Sequence, residues 1–285
     1  TITPAADVEQ DFSSPVIYTV TSEDGIVVNK YTVSEAGKVK YMDFEVWKKD
    51  NTYGFEKPEG SFASTNEGSG IVYSILEGLK SVDGFQDIVV PSWCVRSSEE
   101  GKTGKAAVLE TIDLTPSKAD LLRYKETLSS SEAFFIDYVL GMCPNITAGS
   151  LFLGSFDLGS AMGNPLKGTQ FGIPYVGEPV KFSGWYKYTP GAVYYTCPDP
   201  VKAEAVTEDP NTTDECSVTA VIYEVPYWET VDPDDANNKA YDKRLTGANL
   251  YTNTDQVIAM ATFSSGVQED YKDITLTLNY EKDYD

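Results

Sequence analysis

Short apolar runs separated by turn clusters dominate the chain. Val16 to Thr21 (VIYTVT), Ile26 to Val33 (IVVNKYTV), Ala106 to Ile112 (AAVLETI), Phe134 to Leu140 (FFIDYVL), Lys181 to Tyr188 (KFSGWYKY), Val218 to Val225 (VTAVIYEV), Val257 to Phe263 (VIAMATF) and Ile274 to Tyr280 (ITLTLNY) are rich in β-branched and aromatic residues. Such residues suit a pleated, half-buried surface, and Gly, Pro, Asn and Asp mark the turns between them. This density of short strands predicts an all-β fold, a β-sandwich or jelly roll. Two segments carry helical spacing instead. Thr115-Pro116 followed by SKADLLRYKETL supplies an N-cap, a proline at the first helical position and Leu121, Leu122 and Leu128, which predicts a short surface helix from Pro116 to Leu128. Ile71, Ile75, Leu76 and Leu79 would share one face of a second helix from Ile71 to Lys80, weakened by Gly78 by about 1 kcal/mol relative to alanine.

The segment Ser34 to Tyr41 (SEAGKVKY) separates the first strands from a fresh run, MDFEVW, and predicts a domain boundary near Gly37. The expected domains are 1–37 and 38–285. Chains of about 40 residues rarely bury a core without disulfides or metal, so the first segment is expected to pack on the larger domain or to close a domain whose earlier strands lie elsewhere.

Charge narrows the partners. The 285 residues include 44 acidic and 22 basic side chains, a net charge of −22, with no basic cluster to attract nucleic acid or anionic lipid. Histidine is absent, which removes the Ser/His/Asp triad, the Cys/His dyad and the HExxH zinc site. No run approaches the roughly 18 apolar residues of a membrane span, and TITPAADVEQ lacks the basic-then-apolar pattern of a signal peptide, which an exported protein would already have lost. Cys94, Cys143, Cys197 and Cys216 have no CxxC spacing; strand-like neighbours favour buried reduced thiols over disulfides.

Ile2, Pro4, Asp11, Phe12, Ser13, Pro15, Val16, Tyr18, Val20, Asp24, Gly25, Tyr31 and Val33 form a pattern, I-P then DFS-P-V-Y-T-V then DG then Y-T-V. It resembles the closing strands of immunoglobulin-like modules in surface lipoproteins of Bacteroidetes. From Met42 onward, FEVW, GFEKPEG, STNEG, GKTGKAAVLET, ITAGSLFLGSF, FGIPYVGEPVKFSGWYKYTPG and DECSVTAVIYE resemble the "putative carbohydrate metabolism domain" of gut Bacteroidetes, GWYKYTPG being the most specific block. The resemblance implies a jelly-roll-like β-sandwich preceded by part of an immunoglobulin-like β-sandwich. It also implies a further strand or strands beyond the segment Ile274 to Tyr280. By the same resemblance the protein is exported to the cell surface or periplasm, as an outer-membrane lipoprotein after signal removal, where it could join a surface-protein assembly.

Sugar rings present flat faces of C–H groups edged by hydroxyls, so proteins bind them with exposed aromatic faces flanked by polar side chains. Strand alternation in Phe182 to Tyr188 places Phe182, Gly184, Tyr186 and Tyr188 on one face and Ser183, Trp185 and Lys187 on the other. Trp185 is therefore a candidate for stacking, the competing reading being that Trp185 and Lys187 pack under a loop. Tyr227 and Trp228, between a strand and the acidic loop ETVDPDDANN, are the other candidates, and they would otherwise anchor that loop. Trp93 reads as core. Glycosidase chemistry needs two carboxyls about 5 to 10 Å apart, one with a raised pKa. Asp137, Glu110 and Glu224 lie in apolar runs, but no spacing identifies a pair, and no catalytic residue is assigned. A calcium site in VDPDDANN from Val231 is weakly supported, because the loop lacks the glycine and closing glutamate of an EF-hand, so no cofactor is expected. The expected function is non-catalytic glycan binding. The alternatives are a glycoside hydrolase with paired carboxylates and an adhesion or spacer module.

Overall fold

A computed structural model describes residues 1–5, 8–10, 16–33, 42–142, 144–175, 177–199, 205–225, 244–253 and 255–280. The chain divides into two compact units, Thr1–Met42 with Tyr175–Pro179, and Asp43–Pro174 with Val180–Asp285. In the first, β1 (Ile2–Thr3), β2 (Val16–Thr21) and β3 (Val28–Val33) form one antiparallel sheet in the order β1-β2-β3. Gly25, at φ 72°, turns the chain between β2 and β3, a left-handed conformation that glycine adopts without penalty.

The second unit opens with β4 (Trp47–Lys49), β5 (Glu56–Pro58), β6 (Phe62–Ser64) and α1 (Thr65–Leu79). Then come β7 (Val95–Ser98), β8 (Ala106–Leu109), β9 (Ile112–Asp113), α2 (Thr115–Lys125), α3 (Ser130–Met142) and β10 (Ile146–Thr147). β11 (Leu151–Phe156), α4 (Leu158–Ala161), α5 (Pro165–Gly168) and β12 (Thr169–Phe171) follow. The last part holds β13 (Lys181–Tyr188), β14 (Tyr195–Thr196), β15 (Thr207–Glu208), β16 (Cys216–Tyr223), β17 (Val257–Ser265) and β18 (Gln268–Thr277). Strands dominate and every strand pair described is antiparallel, consistent with the all-β sandwich class. The longest pairings are β13 with β18 and β16 with β17.

The main core lies among the helices. Val72, Tyr73, Leu76 and Leu79 of α1 meet Leu121 of α2, Ile136 and Val139 of α3, and Cys94 and Val95 at the start of β7. Trp93 packs on this core as the sequence suggests, stacked on Tyr73 with ring centroids 4.0 Å apart and edge-on to Phe55 at 5.4 Å. On the sheet side, Ile274, Leu276 and Leu278 alternate inward and are buried.

Three segments differ from expectation. Phe134 to Leu140, read as a strand, lies within α3: Ser129 Oγ and its backbone N–H both donate to the Glu132 carboxylate, a cap that starts a helix, and Ile136 and Val139 then face the core at helical spacing. The helix expected from Ile71 starts at Thr65, capped by Ser64. The α2 helix is no mere surface element, since Leu121 is fully buried. Cys94 (buried), Cys197 (exposed) and Cys216 (partly buried) are free thiols, and Cys143 lies outside the described residues.

Candidate functional site

The alternating sequence of β13 makes it two-faced. Phe182, Gly184, Tyr186 and Tyr188 are half-buried, while Lys181, Ser183, Trp185 and Lys187 are exposed. The inner face is fixed by its partners: Tyr186 packs edge-on against Phe263 of β17 at 5.1 Å, and its hydroxyl donates to Ser265 Oγ at 2.9 Å. Tyr188 donates to Asp214 Oδ2 at 2.6 Å, an oxygen that also accepts from Gly191 N–H at 3.0 Å. Burial and then the Asp214 bond raise the Tyr188 phenol above its ordinary value, so it stays a neutral donor.

The outer face carries the candidate chemistry. Trp185 is 55% exposed and sits opposite Asp273 of β18, with Ser183 opposite Thr275. A lysine covers part of its ring: Lys102 Nζ lies 4.7 Å from the indole centroid. Tyr271 of β18 joins this face, with Lys187 Nζ 5.2 Å from its ring centroid. Its hydroxyl donates to Glu100 O at 2.7 Å. One loop, between β7 and β8, therefore reaches both rings. Its shape follows from its glycines. Gly101 N–H donates to Gly104 O at 3.0 Å, and Gly104 has φ 65° with no room for a Cβ beside the Glu45 carboxylate, which accepts Lys105 N–H at 3.1 Å. The loop thus touches the indole without covering it, and more than half of the ring stays open.

Of the other sequence candidates, Tyr227 and Trp228 lie outside the described residues, as does the acidic loop from Val231. Lys102 and Tyr271 were not singled out by the sequence. The GKTGK turn marks the loop, but the pairing of β13 with the distant β18 that seats Tyr271 has no local signal.

The carboxylates of the apolar runs are dispersed. Asp137 is exposed on α3 and pairs with Lys125 at 2.5 Å, Glu110 pairs with Arg96 at 2.6 Å, and Glu224 is exposed beyond β16. Among the described residues, the carboxyls with shifted acidity are moved downward: Asp24, Glu132, Asp157 and Asp209, held below the usual range first by the hydroxyls of Ser22, Ser129, Ser160 and Thr212. Such groups serve turns and helix starts as anions; a general acid needs the opposite shift. Around Asp157, Gln170 and Ser155 accept from the Arg244 guanidinium, at 3.1 Å for Ser155, a polar cluster that ties β11 to β12 and to the segment before Leu245. Among the described residues no group of three Cys, Asp or Glu side chains is arranged to hold a metal ion, and no helix is long and apolar enough to cross a membrane.

The family model described as "putative carbohydrate metabolism domain" matches residues 34–285. The chain belongs to that family. A second model, "SGBP, N-terminal", matches residues 1–34 ahead of the carbohydrate metabolism domain. Among solved structures, a Bacteroides thetaiotaomicron protein described as a putative glycoside hydrolase is 27% identical, with TM-score 0.56, over 100% of this chain and 71% of that one. One from Bacteroides vulgatus, described in the same words, is 23% identical with TM-score 0.46, over 97% of this chain and 81% of its own. No curated protein matches the chain.

Proposed function

We propose that this member of the carbohydrate metabolism domain family is a non-catalytic glycan-binding protein of the bacterial cell surface. Its saccharides stack on aromatic rings, the exposed Trp185 together with Tyr227 and Trp228. The reading is carried by one observation: an indole more than half exposed on an outward sheet face, ringed by Ser183, Thr275, Asp273 and Lys187. An apolar plate with hydrogen-bonding groups at its edge matches the face and rim of a pyranose. The match of residues 1–34 to "SGBP, N-terminal", a surface glycan-binding protein module, supports the surface setting. Within the same proposal, residues 1–37 are the closing strands of an immunoglobulin-like domain and 38–285 a jelly-roll-like module on an exported lipoprotein. No cofactor takes part. Aromatic contacts are worth about 0.5 to 1.5 kcal/mol each, so Trp185→Ala should weaken retention on a glycan array about 2- to 13-fold, and Tyr227→Ala with Trp228→Ala, which removes two rings, about 5-fold or more. An unchanged array profile in all these variants would remove the reading.

A second reading, glycoside hydrolysis, is favoured by the description of the 27% identical relative. It requires a pair of opposed carboxyls, and its sign would be release of new reducing ends from a glycan the protein retains. Sustained turnover would replace binding as the function.

A further inference from the structure

The chain has twice as many acids as bases, and several of its lysines find a carboxylate. Lys48 pairs with Glu59, Lys80 with Glu77, Lys105 with Glu99 and Lys125 with Asp137. Lys102 and Lys187 do otherwise. Each is exposed and holds its ammonium over a ring of the candidate face, Trp185 and Tyr271 respectively. Among the described residues neither makes an ion pair. Lys181, also exposed, lies on the same outward face of β13 opposite Thr277. Against these three cations, the carboxylate paired across the strands on this face is Asp273, opposite Trp185.

We propose that the Trp185–Tyr271 face selects anionic saccharides, the rings taking the sugar and Lys102 and Lys187 taking its carboxylate or sulfate groups. This rests on the stacking reading above and names the substrate class of that site. Lysine over an exposed ring is weakly held, whereas an ammonium bound to an anionic oxygen is a charge-assisted contact, so an arriving anion draws the ammonium from the ring. The net charge of −22 does not oppose this at short range. Exposed charges beyond a Debye length of about 8 Å are largely screened at physiological ionic strength, which leaves the nearby charges to decide, the lysines over the two rings against Asp273 and the loop's Glu99 and Glu100. The Gly101–Gly104 turn places Lys102 at the tip of its loop, free of the backbone bonds that fix Lys105 beside Glu45.

The test is calorimetric titration of the whole chain with an oligogalacturonate, a chondroitin sulfate oligosaccharide and a neutral xylo-oligosaccharide of similar length. At least one anionic probe should bind about fivefold or more tightly than the neutral one, and in the double variant Lys102→Gln, Lys187→Gln that ratio should fall toward one. Preference between the two anionic probes tells carboxylate from sulfate. Equal affinity of the unaltered protein for neutral and anionic probes, failure to bind either anionic probe, or a ratio unchanged in the double variant would overturn the inference. In the first and last cases, loss of binding in Trp185→Ala would still support the stacking reading. Undiminished binding of every probe by Trp185→Ala would overturn the inference, and the stacking reading with it if Tyr227→Ala with Trp228→Ala also binds undiminished. Matching circular dichroism and thermal midpoints keep these outcomes separate from misfolding.

Discussion

At the scale of single residues, Asn66 joins α1 to β7. Fully buried, its amide Nδ2 donates to Val95 O at 2.6 Å and its Oδ1 accepts Val95 N–H at 3.1 Å, so it stands in for a strand neighbour at the head of β7. Asn66→Ala would leave two buried backbone groups unpaired, and we predict a loss on the order of 2 to 4 kcal/mol in urea unfolding, against less than about 1 kcal/mol at an exposed asparagine. Cys94 gives a second prediction. Burial pushes its thiol from an ordinary value near 9 up to about 11. Between those values the unfolded chain releases a proton that the folded chain keeps, so stability present below about pH 9 is lost as pH rises toward 11. Unfolding free energy should therefore fall more steeply over that interval in the unaltered protein than in Cys94→Ala, by at most about 2 kcal/mol; parallel curves would contradict it. Neither role was legible in the sequence. An asparagine between Thr65 and Glu67 reads as part of a helix start, and only the approach of β7 shows what it binds. Trp93, by contrast, was legible as core because apolar residues flank it.

At the scale of elements, the strands were legible where alternation is strict and helices were misread where composition misleads. In β13 the two-residue period of KFSGWYKY gives both the element bounds and the outward position of Trp185. In α3 the aromatic and β-branched run FFIDYVL carries a strand composition, but the Ser129–Glu132 cap and the core positions Ile136 and Val139 impose a helix and leave Phe134 73% exposed. In α1 two glycines hid the first turns. A Cβ at Gly68 would meet Phe156 at 2.9 Å and one at Gly70 would run into the Tyr53 ring, so close packing, not backbone freedom, requires glycine there. The signal that compensates for them is the capping box: Ser64 Oγ accepts Asn66 N–H at 3.2 Å, and Glu67 accepts Ser64 N–H at 2.8 Å. Because α1 then carries Val72, Tyr73, Leu76 and Leu79 into the core, Ser64→Ala should destabilise the whole domain by about 1 to 2 kcal/mol. A thermal midpoint shifted down by a few degrees checks it, and an unaltered midpoint would mean that packing alone sets the start of α1.

At the scale of the whole molecule, an acidic, histidine-free chain of antiparallel strands presents its candidate surface where two distant strands, β13 and β18, meet one loop from between β7 and β8. The sequence made Trp185 visible as an outward ring, but Tyr271 and Lys102 join it only through tertiary pairing, which no local pattern encodes. Membership of the carbohydrate metabolism domain family sets the chemical context, and the aromatic face is the means of recognition proposed within it. The most direct test is saturation-transfer NMR with a saccharide selected on the array, irradiating aromatic protons. The account predicts that saturation reaches the C–H groups of one sugar face and falls severalfold in Trp185→Ala at the same sub-saturating saccharide concentration while the protein stays folded. Transfer of equal strength in the variant, or none in the unaltered protein at saturating saccharide, would contradict it.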